Sequence, residues 1–315
     1  MRLRIYQIDS FTRDRFHGNP AGVVPNADGL TEAQMQQIAR ELNNSETAFI
    51  FSSNDNSYDV EVRFFTPTTE VPLCGHATIA AHYVRAIEGQ APGRTIQKTK
   101  AGLLPIDTLA DGHDFSIIMT MAEPYVSDPF DRGLTLRIAE ALGIDEGDIR
   151  TDCPVAIASA GHSKVMVGIR NRQILDSLHP DEAKLTAISR EIGCGGYYVF
   201  TLSPEEDVLV HGRMFAPAIG ISEDPVTGNA NGPLGIYLVH FGICPELQTD
   251  DCFDFCIRQG EAIGRDDGMK VHVEKKEGRP VLVQITGEAI VAFKTEIELE
   301  IPVCPDGCMP DKDDL

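Results

Sequence analysis

The stretch "TEAQMQQIARELNNSETAFIF", starting at Thr31, returns at an offset of 150 as "DEAKLTAISREIGCGGYYVFT", starting at Asp181. Glu32, Ala33, Ile38, Arg40 and Glu41 meet Glu182, Ala183, Ile188, Arg190 and Glu191 without a gap. The same offset carries Arg63, Phe65 and Pro67 onto Arg213, Phe215 and Pro217. Identities at one fixed offset constrain the fold, because a duplicated segment builds the same supersecondary unit twice. The 315 residues therefore read as two similar lobes, residues 1–120 and residues 121–315.

Each lobe has legible local structure. Thr31 and Gln34 form a capping-box pattern, and Met35, Ile38, Ala39 and Leu42 make an apolar helical stripe. Asp181 opens the matching helix and Gly193 follows its last turn. A strand follows each helix, "ETAFIF" and "YYVFTL", then a further strand leads into each Phe-x-Pro and a second helix begins. "KVHVEK" and "VLVQITG" read as hairpin strands of the second lobe. "FHGNPAGVV" from Phe16 has a weaker echo in "AGHSKVMV" from Ala160, with Asn19 against His162. The expected class is α+β, two pseudo-symmetric lobes with a site between them, since pockets favour such junctions.

The 48 acids and 27 bases leave a net charge of −21, which argues against nucleic acid and anionic membranes as partners. No run of eighteen apolar residues occurs, and "MRLRIYQIDSFTRDRF" lacks a signal-peptide core, so a cytoplasmic location is expected. Eight cysteines in that setting read as free thiols. Cys252 with Cys256, and Cys304 with Cys308, leave three residues between them where zinc sites usually show a tighter two-residue spacing, so no metal is expected. In "CFDFCI" the alternation instead buries Phe253, Phe255 and Ile257 on one strand face. "MPDKDDL" reads as a solvated tail. No dinucleotide fingerprint or phosphate loop is present, so no cofactor is expected.

The chemistry-bearing residues gather at element ends. In "EVPLCGHATIAAHYV", Cys74 and His76 flank a glycine at the mouth of a helix. Cys74 reads as a site-lining residue more than an essential base, because nothing cationic but His76 adjoins it. Glu46 leads an apolar strand face where a helix ends, a position that suits a general acid/base. Asp224 with Pro225 reads as an N-cap and first-turn pair. The small-residue helix starts at Gly75-His76-Ala77-Thr78 and Thr227-Gly228-Asn229-Ala230 offer N–H groups to an anion.

These stretches, together with "NNSETAFI", "FFTPTTEVPLCGHATIAAHYV" and "RMFAPAIGISEDPVTGNANGPLGIYLVHFG", resemble the PhzF-like family, which shares the diaminopimelate epimerase fold. The resemblance runs in order through nearly the whole chain. It implies a mixed sheet around a central helix in each lobe, a homodimer, and a cofactor-free isomerase acting on a small carboxylate. In epimerases of this fold two cysteines face each other across the substrate. Cys74 matches the first, and Asp224 stands at the second and at the 150-residue offset from Cys74. In the phenazine enzyme a glutamate of the "SET" stretch moves the proton, which here is Glu46. The resemblance makes His76 and Asp224 its catalytic companions. It turns Asn19, Ser45, Cys74 and Gly75 toward the substrate, and likewise Ala77, Thr227, Gly228 and Asn229. Many relatives read Thr-Gly-Ser-Ala where this chain has Thr227 to Ala230. Because the repeat partner of Glu46 is Gly196, one carboxylate is expected to remove a proton and return it to another carbon on the same face. The alternatives are a small-carboxylate-binding protein without turnover and a cysteine-dependent epimerase.

Overall fold

The computed structural model describes residues 1–203 and 207–299, and in it the repeat is a repeat of strand pairings. The first lobe contains β1 (Arg2–Ser10), β2 (Asn19–Val24), helix α1 (Glu32–Leu42), β3 (Glu46–Ser52), β4 (Val60–Phe65) and β5 (Glu70–Val71). It continues with helix α2 (Gly75–Ile87), β6 (Gly93–Thr99), β7 (Gly102–Asp111) and β8 (Asp114–Thr120). Next come β9 (Tyr125–Val126), α3 (Arg132–Leu142), β10 (Ala156–Ser159), β11 (Ser163–Gly168), α4 (Arg172–Asp176) and α5 (Glu182–Ile192). The second lobe goes on through β12 (Tyr197–Leu202), β13 (Val210–Ala216), β14 (Ile221–Asp224) and α6 (Gly228–His240). It closes with β15 (Cys252–Gln259), β16 (Asp267–Lys276), β17 (Arg279–Gly287) and β18 (Ala289–Glu298).

β2 lies parallel to β3 as β11 does to β12, and β4 lies parallel to β6 as β13 does to β15. β3–β4 and β12–β13 are the matching antiparallel pairs. The last strand does not stay with its neighbours in sequence. β18 crosses back to lie antiparallel to β1, the place that β9 takes beside β10. Both strands cover what would otherwise be an open sheet edge.

Local sequence explains the outer helices. The Thr31 hydroxyl accepts from the Gln34 N–H at 3.3 Å and the Gln34 side chain accepts from the Thr31 N–H at 2.9 Å, closing the expected capping box. Asp181 accepts from the Lys184 N–H at 3.0 Å, and Gly193 ends α5 at φ 68°, where a side chain is disfavoured. The inner helices obey a different rule. α2 is buried from Gly75 to Val84, and α6 is buried along most of its length, so each is a core element enclosed by its sheet. Phe253, Phe255 and Ile257 are buried, with Cys252 and Cys256 on the opposite, partly exposed face of β15. Cys304, Cys308 and the "MPDKDDL" tail lie outside the described residues. Among the described residues no helix is long and apolar enough to cross a membrane.

The repeated arginines have a common structural use. The Arg63 guanidinium lies 5.3 Å above the Phe65 ring and forks onto Glu70; Arg213 lies 5.0 Å above Phe215 and forks onto Glu223. The arginines are 150 apart but the glutamates 153, because the short helical turn Pro217–Ile219 lengthens the second lobe's connection by three residues. Phe64 faces Val71 across the first ladder, whereas Met214 faces Asp224 across the second. This corrects two expectations. The counterpart of Cys74, as the residue before a central helix, is Thr227, and Asp224 corresponds to Val71. Asp224 is the last residue of β14 and not an N-cap; Pro225 and Val226 separate it from Thr227, where the cap falls.

Candidate active site

Glu46 begins β3 and pairs in register with Ala21 of β2, which fixes its backbone while the side chain remains 17% exposed. It lines a cavity of about 210 Å³ on which the N-termini of α2 and α6 both open. A Cβ built on Gly75 would stand 3.6 Å from the Asn229 amide oxygen, so the two helix starts oppose each other with small residues between. Each start carries N–H groups without intrahelical partners and the positive end of a helix dipole.

His76 organises the first lobe's half of the site. Its Nε2 lies 3.4 Å from Glu46 Oε2 and 3.3 Å from Ser45 Oγ, and its Nδ1 lies 3.4 Å from Cys74 Sγ. Its carbonyl accepts from the buried Ser10 hydroxyl at 2.8 Å, which anchors the helix start to β1. Burial pushes the Cys74 thiol well above the usual range, and the charge of Glu46 pushes the same way. A protonated, desolvated thiol is a weak nucleophile.

Asp224 organises the other half. Asn19 Nδ2 donates to its Oδ1 at 3.0 Å and to the Val226 carbonyl at 2.9 Å, bridging the lobes. The Thr227 hydroxyl donates to Asp224 Oδ2 and accepts from Gln259 Nε2 at 3.0 Å. Gln259 Oε1 in turn accepts from Asn231 Nδ2 at 2.9 Å, and the Tyr198 hydroxyl donates to Asn231 Oδ1 at 2.5 Å. Burial raises the Asp224 carboxyl above the usual range, while nearby His76 and the Thr227 hydrogen bond oppose that rise.

The cavity wall includes Glu46, Cys74, Gly75 and His76 from the first lobe, and Asp224, Thr227, Gly228 and Asn229 from the second. Asn19 and Ser45 stand behind it as hydrogen-bond partners of Asp224 and His76. Ala77 is fully buried within α2 and contributes small size, not surface. Sequence reasoning set His162 against Asn19 but assigned neither it nor Lys164 to the site, and both line the cavity. The available signal was a lysine entering the apolar strand "KVMV". Burial holds the His162 pKa below the ordinary histidine value, with the Lys164 charge adding to the effect.

Folding also assembles a donor group that spacing did not reveal. Glu46, Cys74 and His76 each place one potential metal-ligand atom within 4.8 Å of the others. Zinc takes thiolates, so binding here would have to displace the Cys74 proton. Chelator treatment is expected to leave turnover within about twofold, as a transition-metal site would not. Stoichiometric metal in the purified protein, with activity lost on its removal, would reverse this expectation.

The sequence model described as "phenazine biosynthesis-like protein" matches residues 8–295. An uncharacterized isomerase of Clostridium acetobutylicum is 53% identical over 300 residues, covering 95% of this chain and 99% of its own. Trans-2,3-dihydro-3-hydroxyanthranilate isomerase of Pseudomonas chlororaphis is 30% identical over 297 residues, covering 93% of this chain and 98% of its own. The crystal structure of the Bacillus anthracis phenazine biosynthesis protein of the PhzF family matches with a TM-score of 0.86 at 30% identity, over 95% of this chain and 100% of that one. The chain belongs to the phenazine biosynthesis-like (PhzF) family and is an isomerase.

Proposed function

We propose that the protein moves a proton within a small cyclic or amino-acid-like carboxylate, without a cofactor, in the cleft between its lobes. The observation that carries this reading is the position of the Glu46 carboxylate, on the cavity wall and 3.4 Å from His76 Nε2. The opposed starts of α2 and α6 hold the substrate carboxylate and stabilise negative charge that develops beside it. Glu46 takes the proton from one carbon and returns it to another on the same face, with His76 orienting the carboxylate. The relative that isomerises trans-2,3-dihydro-3-hydroxyanthranilate supports a cyclic amino carboxylate as the substrate type. A cytoplasmic homodimer goes with this reading, and light scattering showing two chains per particle would support that assembly.

Screening small hydroxy- and amino-carboxylates for deuterium uptake from heavy water tests the reaction class. Uptake catalysed by the protein is expected; ligand binding with no C–H exchange would instead mark a binding protein. Cys74→Ser is expected to retain turnover within about tenfold, because proton transfer by Glu46 remains and Thr227 stands where a second thiol would be needed. Loss of turnover to background in a folded Cys74→Ser protein that still binds ligand would restore the cysteine mechanism.

A further inference from the structure

Opposite Glu46 the second lobe makes an exchange that its strand register brings out. Thr47 faces Phe65 and Tyr197 faces Phe215, so Thr47 and Tyr197 are equivalent. Thr47 pairs with Gly22 and Tyr197 with Val165. One step back along the chain, Ala21 therefore corresponds to Lys164 and Glu46 to Gly196. Where the first lobe has a small residue beside a carboxylate, the second has a lysine beside a glycine. A Cβ on Gly196 would lie 2.5 Å from Lys164 Cδ and 2.9 Å from Cε. The lysine stem occupies the volume that any side chain at 196 would need.

Lys164 is only 7% exposed, and it lines the same cavity as Glu46 and Asp224. Its ammonium donates to the Ser163 carbonyl at 3.2 Å, and among the described residues it has no carboxylate within ion-pair distance. Burial lowers its pKa, while Cys194 and Asp224 act in the opposite sense. Filling the slot needs only an apolar chain; placing an ammonium there costs desolvation unless an anion arrives to compensate. Among the described residues, Lys164 is also the one lysine or arginine on this cavity wall.

We propose that Lys164 docks a second anionic group of the substrate, so that the cleft takes a small dicarboxylate or an equivalent dianion. One anionic group lies on the helix starts and the other on the ammonium. The inference rests on the reading that the helix starts hold a substrate carboxylate, and it adds the charge class of the molecule they select.

Calorimetric titration with malonate, succinate and glutarate, each against the monocarboxylate of equal carbon number (propionate, butyrate, valerate), tests it. The wild-type protein is expected to bind at least one dicarboxylate about tenfold more tightly than its partner, the scale of one charge-assisted hydrogen bond. Lys164→Met fills the slot without charge and should abolish that preference while changing monocarboxylate affinity by less than about twofold. Lys164→Gln should lose the preference as well, which provides a second variant if the first folds poorly. Glu46→Gln should keep it. Absence of the preference in the wild-type protein, or its persistence in both Lys164 variants, overturns the proposal. Unchanged dicarboxylate binding with lost deuterium exchange in Lys164→Met also overturns it and assigns the ammonium to proton transfer. A preference that depends on Lys164 in a protein that never exchanges deuterium supports the docking role while removing the isomerisation reading.

Discussion

Glu46→Gln is expected to slow deuterium incorporation into an accepted substrate by at least about 10²–10⁴-fold, the loss typical of removing a general acid/base. The amide is nearly isosteric, and the ladder between β2 and β3 is made by backbone, so the lobe should remain folded. Binding should survive if, as proposed, the helix starts and not this side chain hold the substrate carboxylate. The neighbouring groups are poor substitutes. Burial keeps the Cys74 thiol protonated, and both Asp224 oxygens already accept hydrogen bonds, from Asn19 and from Thr227. Exchange at the wild-type rate in Glu46→Gln would place the base on Asp224, His76 or Cys74. Asp224→Asn should behave differently. Its NH₂ would meet the Asn19 or Thr227 donor, leaving buried donors opposed at about 1–3 kcal/mol. Stability and ligand affinity should therefore fall together.

Arg213→Met is expected to destabilise the protein by roughly 3–5 kcal/mol, as breaking one side of a buried ion pair does. Arg213 Nε and Nη2 donate to Glu223 at 2.9 and 2.7 Å, with the two side chains 10% and 11% exposed. Its Nη1 also donates to the carbonyls of Leu175 and Leu178, at 3.0 and 3.2 Å. Methionine removes the Arg213 donors from all of these acceptors, and of the two carbonyls Leu175 keeps the Leu178 N–H. Glu223 immediately precedes Asp224 on β14, so ligand affinity should fall as well. Arg63→Met is the internal comparison. Arg63 is 22% exposed, and Glu70 keeps a second cation in Lys100 after the change. Urea unfolding should thus show a clearly smaller loss for Arg63→Met. Equal losses would mean that the fork onto Glu223 carries less of the second lobe's stability than its burial implies.

The repeat was legible because its signals are local: Thr31 and Asp181 cap helices, and the Arg-x-Phe positions recur at one offset. The three added residues at Pro217–Ile219 were not legible, since a short turn between intact strands leaves the strand pattern unchanged. That shift moved the counterpart of Cys74 from Asp224 to Thr227 and removed Asp224 from the helix cap. The proximity of Glu46 to His76 was available only through family resemblance, because thirty residues of chain separate them in sequence. Lys164 was harder still. One lysine in an apolar strand looks incidental until parallel pairing sets it beside Gly196. The return of β18 to β1 was equally hidden, since alternating strand residues do not name the sheet edge they will cover.

If Glu46 alone takes the proton and returns it, the hydrogen that leaves one carbon can arrive at the next. The direct measurement uses a substrate carrying deuterium at the departing position, turned over in ordinary water and sampled in the earliest turnovers. Mass spectrometry and NMR would then locate the label in the product. The expected result is a measurable fraction of product with deuterium at the receiving carbon. Solvent hydrogen delivered to that carbon on the face opposite to the one the proton left would contradict a single carboxylate and point to separate groups that remove and deliver the proton.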